Sequence, residues 1–201
     1  MKQRTKTIIL NILGIFFIGF GLLAIIQAIK TENPSGIFWL CYAAMILIGI
    51  GALRKDSFLI ASQINLLFIP LLFWVFDFIY ILFTGNSLFG LAEYFFTGNF
   101  LKLSRIISTE HLFLLPLGFL ALYLIKLKRK DFWKVSVLQI VLFYLVTLAL
   151  TDPEKNINCV FESCFAFIGN SFYGLVWFFL FISMTAITNI ILLWVRFLWE
   201  R

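Results

Sequence analysis

The sequence predicts an all-α integral membrane bundle of six transmembrane helices, with a short interfacial or re-entrant helix at the outer face. Three observations carry that expectation. Of the 201 residues, 62% are hydrophobic and 13% charged, more apolar surface than a soluble domain of this size can hide. The apolar residues fall into segments near the ~20 residues needed to cross a bilayer. The charged residues gather in the short stretches between those segments.

Spans are expected at 7–29, 37–53, 58–83, 108–127, 132–150 and 171–195, all in a single membrane domain covering 1–201. The first is too long for the apolar region of a cleaved signal peptide, so it reads as a retained anchor. The second is short, and must stand nearly upright or thin the bilayer around it. The third carries Pro70, which removes one helical hydrogen bond and is expected to kink the helix.

Orientation follows from the loops. With the N-terminus inside, 12 of the 16 Lys and Arg lie on the inner side, a clear positive-inside bias. The expected location is a cell (inner) membrane with both termini cytoplasmic. Acids run the other way, because Glu32, Asp77, Glu93, Glu110, Asp152, Glu154 and Glu162 fall at or near the outer face. The net charge of +6 is thus a topology and headgroup signal, and no basic-aromatic surface for nucleic acid is present.

Two outer segments are too long to be simple turns. In 84–105 (TGNSLFGLAEYFFTGNFLKLSR), an apolar stretch over 87–96 reads as a helix capped by Asn86 or Ser87 and stopped by Gly98. In 151–170, a polar turn leads into a second apolar stretch. The pattern GNSxxG occurs at 85–90 and again at 169–174, and helix capping explains it better than an anion site.

Asp77 is the strongest single chemical signal. A carboxylate inside hydrocarbon costs about 2.5–3.5 kcal/mol, so it is expected to be turned inward and paired. Helical spacing sets Trp74 and Tyr80 on its face. His111 is the only histidine. It falls at the outer start of the fourth span, where Ser108 and Thr109 could cap the helix and a neutral ring could serve as a base. If the third and fourth helices touch, Asp77 and His111 would form an acid/base pair. Glu93, Tyr94, Asn156 and Asn158 are candidate substrate-binding residues, and Glu110, Tyr144, Asp152 and Tyr173 could also border such a pocket. Each alone is more often a solvated loop or interface group.

Cys159 and Cys164 could form a disulfide stapling the last outer loop, and CxxxxC is not the redox CxxC pattern. One histidine cannot supply the usual catalytic zinc ligand sets, so no metal and no cofactor is expected, and a metal held by Asp77, His111 and Glu93 is an alternative with no motif behind it. There is no GxSxG elbow and no Walker A sequence.

The segments WVFDF, TGNSLFGLAEYFF, EHLFLLPL and TDPEKNINCVF resemble a family of small bacterial multi-pass membrane proteins. In that family a W-x-x-D-F helix, a T-G-x-x-L-x-G-L-x-x-Y-x-F segment, an H-x-x-x-x-P helix start and a T-D-P-x-x-N-I-N-x-V loop occur together. The match covers about 74–160, and is loose in the second motif. It draws attention to Asp77, His111, Asn156 and Asn158, and implies no activity.

Three functions are consistent with these features. One is a membrane enzyme acting on a lipid or lipid-linked substrate at the outer leaflet through Asp77 and His111. A second is a small-solute transporter or binding subunit. In that case Asn11, Gln27, Asn65, Gln139 and Asn189 would line a path, although they are widely scattered. The third is a non-catalytic scaffold or assembly partner. Membrane lipids are the expected surroundings in every case, and protein partners are left open.

Overall fold

The computed structural model describes residues 2–31, 34–96, 102–165, 168 and 172–200. The described chain is all-helical. Its helices are α1 (Gln3–Lys30), α2 (Leu40–Arg54), α3 (Ser57–Thr84), α4 (Glu93–Phe96), α5 (Lys102–Ser108), α6 (Glu110–Ile125), α7 (Trp133–Leu150) and α8 (Tyr173–Glu200), with short 3₁₀ turns at Pro34–Phe38, Pro153–Lys155 and Ile157–Cys159. Five helical stretches among the described residues are long and apolar enough to cross a membrane, and α2 is the sixth, short one. At ~1.5 Å per residue, α3 is ~42 Å long and must tilt in a ~30 Å hydrocarbon layer.

Helix ends follow local chemistry. Asp56 caps α3, its Oδ1 accepting from the Phe58 N–H at 3.0 Å and the Leu59 N–H at 3.3 Å. Gly85, with φ of +72°, ends the same helix in the left-handed conformation that glycine adopts without strain. α3 runs unbroken across Pro70.

α3 is the central post and packs on α2, α6, α7 and α8. α1 lies closest against α2, where glycines let the backbones meet. A Cβ on Gly49 would lie 2.8 Å from the Gly14 carbonyl oxygen and 3.0 Å from the Ile18 nitrogen, both backbone atoms that cannot swing aside. Without a hydrophobic drive between helices in lipid, such close packing supplies much of the association. Gly49→Ala should therefore cost about 2 kcal/mol, seen as a lower Tm in detergent. Gly19→Ala, with open space around it, should be neutral or slightly stabilising.

Interhelical amide and hydroxyl bonds join α3 to α7. Gln63 and Gln139 exchange two hydrogen bonds at 3.0 and 3.1 Å, and the Asn65 amide donates to Ser136 Oγ at 3.1 Å. Gln27 donates to Ser104 Oγ at 3.4 Å, tying α1 to α5. Asn65, Gln139 and Gln27 thus hold helices together and do not trace an open path.

Two sequence expectations need correction. The 87–96 stretch is not one helix. Residues 87–92 form turns, Gly90 adopts φ of +83°, and only Glu93–Phe96 is helical. Gly90 leaves the helical conformation, and Asp77 takes the Ala92 N–H that an α-helix begun at Ser87 would bond within itself. Gly98, expected to stop that helix, lies outside the described residues, as does most of the second GNSxxG copy at 169–171. Nor do Ser108 and Thr109 cap a fresh helix at His111. α5 runs almost directly into α6, so few N–H groups are free there, and the Thr109 hydroxyl donates backwards to the Ile106 carbonyl at 2.6 Å.

Candidate functional site

The candidate site residues gather toward one end of the bundle, here termed the loop end, which carries 84–96 and 151–165. Asp77 organises the first of these segments. Its Oδ1 accepts from the N–H groups of Leu88 at 2.7 Å and Phe89 at 2.8 Å, its Oδ2 from the Ala92 N–H at 2.8 Å, and the Ser87 hydroxyl reaches both oxygens. The carboxylate is fully buried and its bonds all go to this turn. Ser87 Oγ in turn accepts from the Gly90 N–H at 2.7 Å. Burial of Trp74, Ile81 and Ala92 in a small satellite core holds the turn down on α3.

The Asp77–His111 contact expected from the span positions is not formed. Trp74 occupies the face of α3 that approaches α6. Its indole stacks on the His111 ring, with centroids 4.5 Å apart and 20° between planes, and its Nε1–H donates to the Tyr94 hydroxyl at 3.1 Å. Burial pushes the Tyr94 phenol up to about 12, so it stays protonated.

His111 has a different set of partners. Its Nδ1 lies 2.8 Å from the Ser108 carbonyl oxygen. A carbonyl only accepts, so Nδ1 carries the proton in the neutral ring and Nε2 keeps a lone pair. Beside it stands Glu110, 1% exposed, with Oε1 3.9 Å from Nδ1. Glu110 Oε2 is buried and has no hydrogen-bond partner among the described residues. Cys41 of α2 completes the group. Its Sγ, a Glu110 carboxylate oxygen and a His111 ring nitrogen all lie within 4.8 Å of one another, the arrangement among the described residues that could hold a metal ion.

Cys41 and His111 line a cavity of about 150 Å³ between α2, α3, α6 and α8. Its remaining wall is apolar and aromatic, including Trp74, Leu91, Phe165, Trp177 and Phe181. Asn158 and Cys159 close it at the loop end. Asn158, 6% exposed, fastens that lid. Its Oδ1 accepts from the Leu40 N–H at 2.9 Å, its Nδ2 donates to the Phe38 carbonyl at 2.9 Å and to Thr147 Oγ1 at 3.3 Å, and its own carbonyl accepts from the Trp177 indole at 2.8 Å.

Cys159 and Cys164 are joined in a disulfide. Asn156 closes the ring beside it, accepting from the N–H groups of Phe161 and Glu162 and donating to the Glu162 carbonyl at 2.9 Å. Tyr173 donates its hydroxyl to the Cys159 carbonyl at 2.8 Å.

No family model, curated protein or solved structure matches this chain. The chemistry of the cavity rests on its own side chains.

Of the residues that the sequence put forward, Trp74, His111, Asn158 and Tyr173 border the cavity, and Tyr94 stands behind Trp74. Glu93 and Tyr80 are exposed, and Asn156 is spent on its own loop. Tyr144 stacks on Trp177, and Asp152 caps the 153–155 turn through the Glu154 N–H. In the sequence Glu110 stood out only weakly, and Cys41 only as a thiol near the outer end of the second span. Adjacent Glu and His at the end of an apolar span was the available signal for the first. Nothing in the sequence showed that α2 brings Cys41 to the same spot.

Proposed function

We propose that this protein is a membrane-embedded enzyme acting at the outer leaflet on a lipid or lipid-linked molecule. The Cys41–Glu110–His111 group is its reactive end, and the aromatic cavity seats an apolar part of the substrate. The observation that carries this reading is an apolar cavity with His111 and Cys41 at its wall and, behind them, the buried Glu110 carboxyl with one oxygen unsatisfied. Such a combination is characteristic of ligand and active sites.

A cavity of about 150 Å³ takes a ring or the first few carbons of a chain, so the rest of a lipid would lie in the bilayer. His111 lines the cavity, and its Nε2 lone pair is the group that would accept a proton from a substrate hydroxyl or from water. Glu110 can exchange a proton with either. Asp77 has no part in the reaction on this reading; it orders the turn that supplies Leu91 to the cavity wall. The bias of basic residues toward the opposite end supports an outer placement of the loop end. The Cys159–Cys164 disulfide also suits an oxidising compartment.

The test is to purify the full chain in nanodiscs made from its native membrane and identify the lipids retained. Enrichment of one lipid class over the bulk, and its slow conversion by the wild type, are expected. His111→Ala should keep the enrichment and lower the conversion about 100-fold or more. Retained lipid that matches the bulk membrane, with no conversion, would sink the proposal.

A further inference from the structure

Two acidic groups, Cys41 and Glu110, face each other inside an apolar bundle, with an imidazole whose free nitrogen is unprotonated. No Lys or Arg lies within ion-pair distance of Glu110 among the described residues. A cation placed among these groups would supply the countercharge that a buried carboxyl otherwise lacks. A protonated Glu110 sharing its proton with Cys41 would still leave the second carboxyl oxygen without a partner.

We infer that Cys41, Glu110 and His111 together hold one divalent transition metal of the zinc class, with a fourth position open to the cavity. The inference rests on the same reading of this cluster as the reactive end. It changes what His111 does there, since the Nε2 lone pair goes to the metal.

Four features support it. The donor atoms come from two helices and lie within 4.8 Å of one another. Ligands around a tetrahedral zinc sit roughly 3.3–3.8 Å apart, given bond lengths of about 2.0–2.3 Å. Side-chain rotations of about 1 Å would close that gap. The Nδ1 nitrogen lies 2.8 Å from the Ser108 carbonyl, so a ring that turns Nε2 to the metal keeps the Nδ1–H bond that metal-bound histidines make with their other nitrogen. A thiolate, a carboxylate and a neutral imidazole neutralise a divalent ion, and the buried Glu110 carboxyl, which has one oxygen without a hydrogen-bond partner, gains a countercharge. Finally, a thiolate and an imidazole favour zinc or cobalt over magnesium or calcium, and three protein ligands with an open position is the arrangement of catalytic sites.

The experiment uses the full chain in detergent, stripped with a chelator and titrated with Co²⁺ and Zn²⁺. One Co²⁺ per chain is expected, with a thiolate-to-cobalt charge-transfer band, and Zn²⁺ should displace it. Cys41→Ser should abolish that band, and Glu110→Gln should weaken binding about 100-fold. In the unsubstituted protein, bound Zn²⁺ should shield Cys41 from alkylation, a readout that needs no variant to fold. A wild type that gives no charge-transfer band and no protection of Cys41 overturns the inference, as does metal binding that Cys41→Ser leaves unchanged. Lipid retention measured on the same samples separates the two readings. Metal binding without lipid enrichment counts against the enzyme alone, and enrichment without metal counts against the metal site alone.

Discussion

Asp77→Asn is expected to loosen the 87–92 turn while leaving the helical bundle in place. The native carboxylate accepts from three backbone N–H groups and the Ser87 hydroxyl, and these are charge-assisted bonds. An asparagine can turn its oxygen toward Leu88 and Phe89, but its NH₂ then faces the Ala92 N–H, which stands 2.8 Å from Oδ2 in the native protein. Donor would meet donor in a buried site. The loss should be about 3 kcal/mol, a rise of roughly 100-fold in the population of the open turn. Hydrogen exchange followed by mass spectrometry reads it directly, with the amides of Leu88, Phe89 and Ala92 exchanging faster and those of α7 and α8 unchanged. Leu91 would leave the cavity wall, and Tyr94 would lose its fixed place beside Trp74, so activity should fall as a consequence. If activity vanished while the exchange of 87–92 stayed native, Asp77 would act on the substrate itself and the scaffolding role given to it here would be wrong.

Asn158→Ala should be the most damaging single change at the loop end. It strands the Leu40 N–H that opens α2, the Phe38 carbonyl and the Thr147 hydroxyl, all of which lie away from free solvent. It also puts alanine at φ of 54°, a conformation that asparagine tolerates and alanine resists. A loss of about 4 kcal/mol is expected, as a large drop in Tm and in folded yield. Asn158→Asp keeps the acceptor for Leu40 and should lose less. Because α2 carries Cys41 one residue after Leu40, even the milder variant should disturb the Cys41–Glu110–His111 group. A near-native Tm for Asn158→Ala would show that the lid is held by the Trp177 and disulfide contacts alone.

The helical architecture was legible because lipid imposes one rule. Every backbone polar group in the bilayer must be satisfied within its own helix, so long apolar segments declare themselves in any neighbourhood. The observed α1, α3, α7 and α8 match the expected spans to within a few residues, and even the short second span was visible. The cysteine pair of the last loop is a local feature, five residues apart, and it too could be read ahead.

The site was only half legible. Asp77 stood out because a carboxylate in hydrocarbon needs partners, but the sequence could not say which. A lone His pointed toward His111, and a similar depth on consecutive spans suggested the wrong mate. Trp74 shares a helical face with Asp77 and took the place beside the imidazole, while Asp77 turned toward the loop that follows its own helix. That choice depends on Gly90 and on three N–H groups arriving together, and no pattern in the residues announces it.

What the sequence determined by itself is therefore the set of membrane helices, the charge bias between the two ends, and the presence of costly polar groups near one of them. What only the tertiary structure decided is who meets whom. Cys41 and Glu110 are distant in sequence and belong to helices with no shared motif. They meet because α2 and α6 both pack against α3 and touch each other. Periodicity fixes which way a residue points along its own helix. The neighbour it finds there depends on how whole helices pack, which is a property of all the side chains at once.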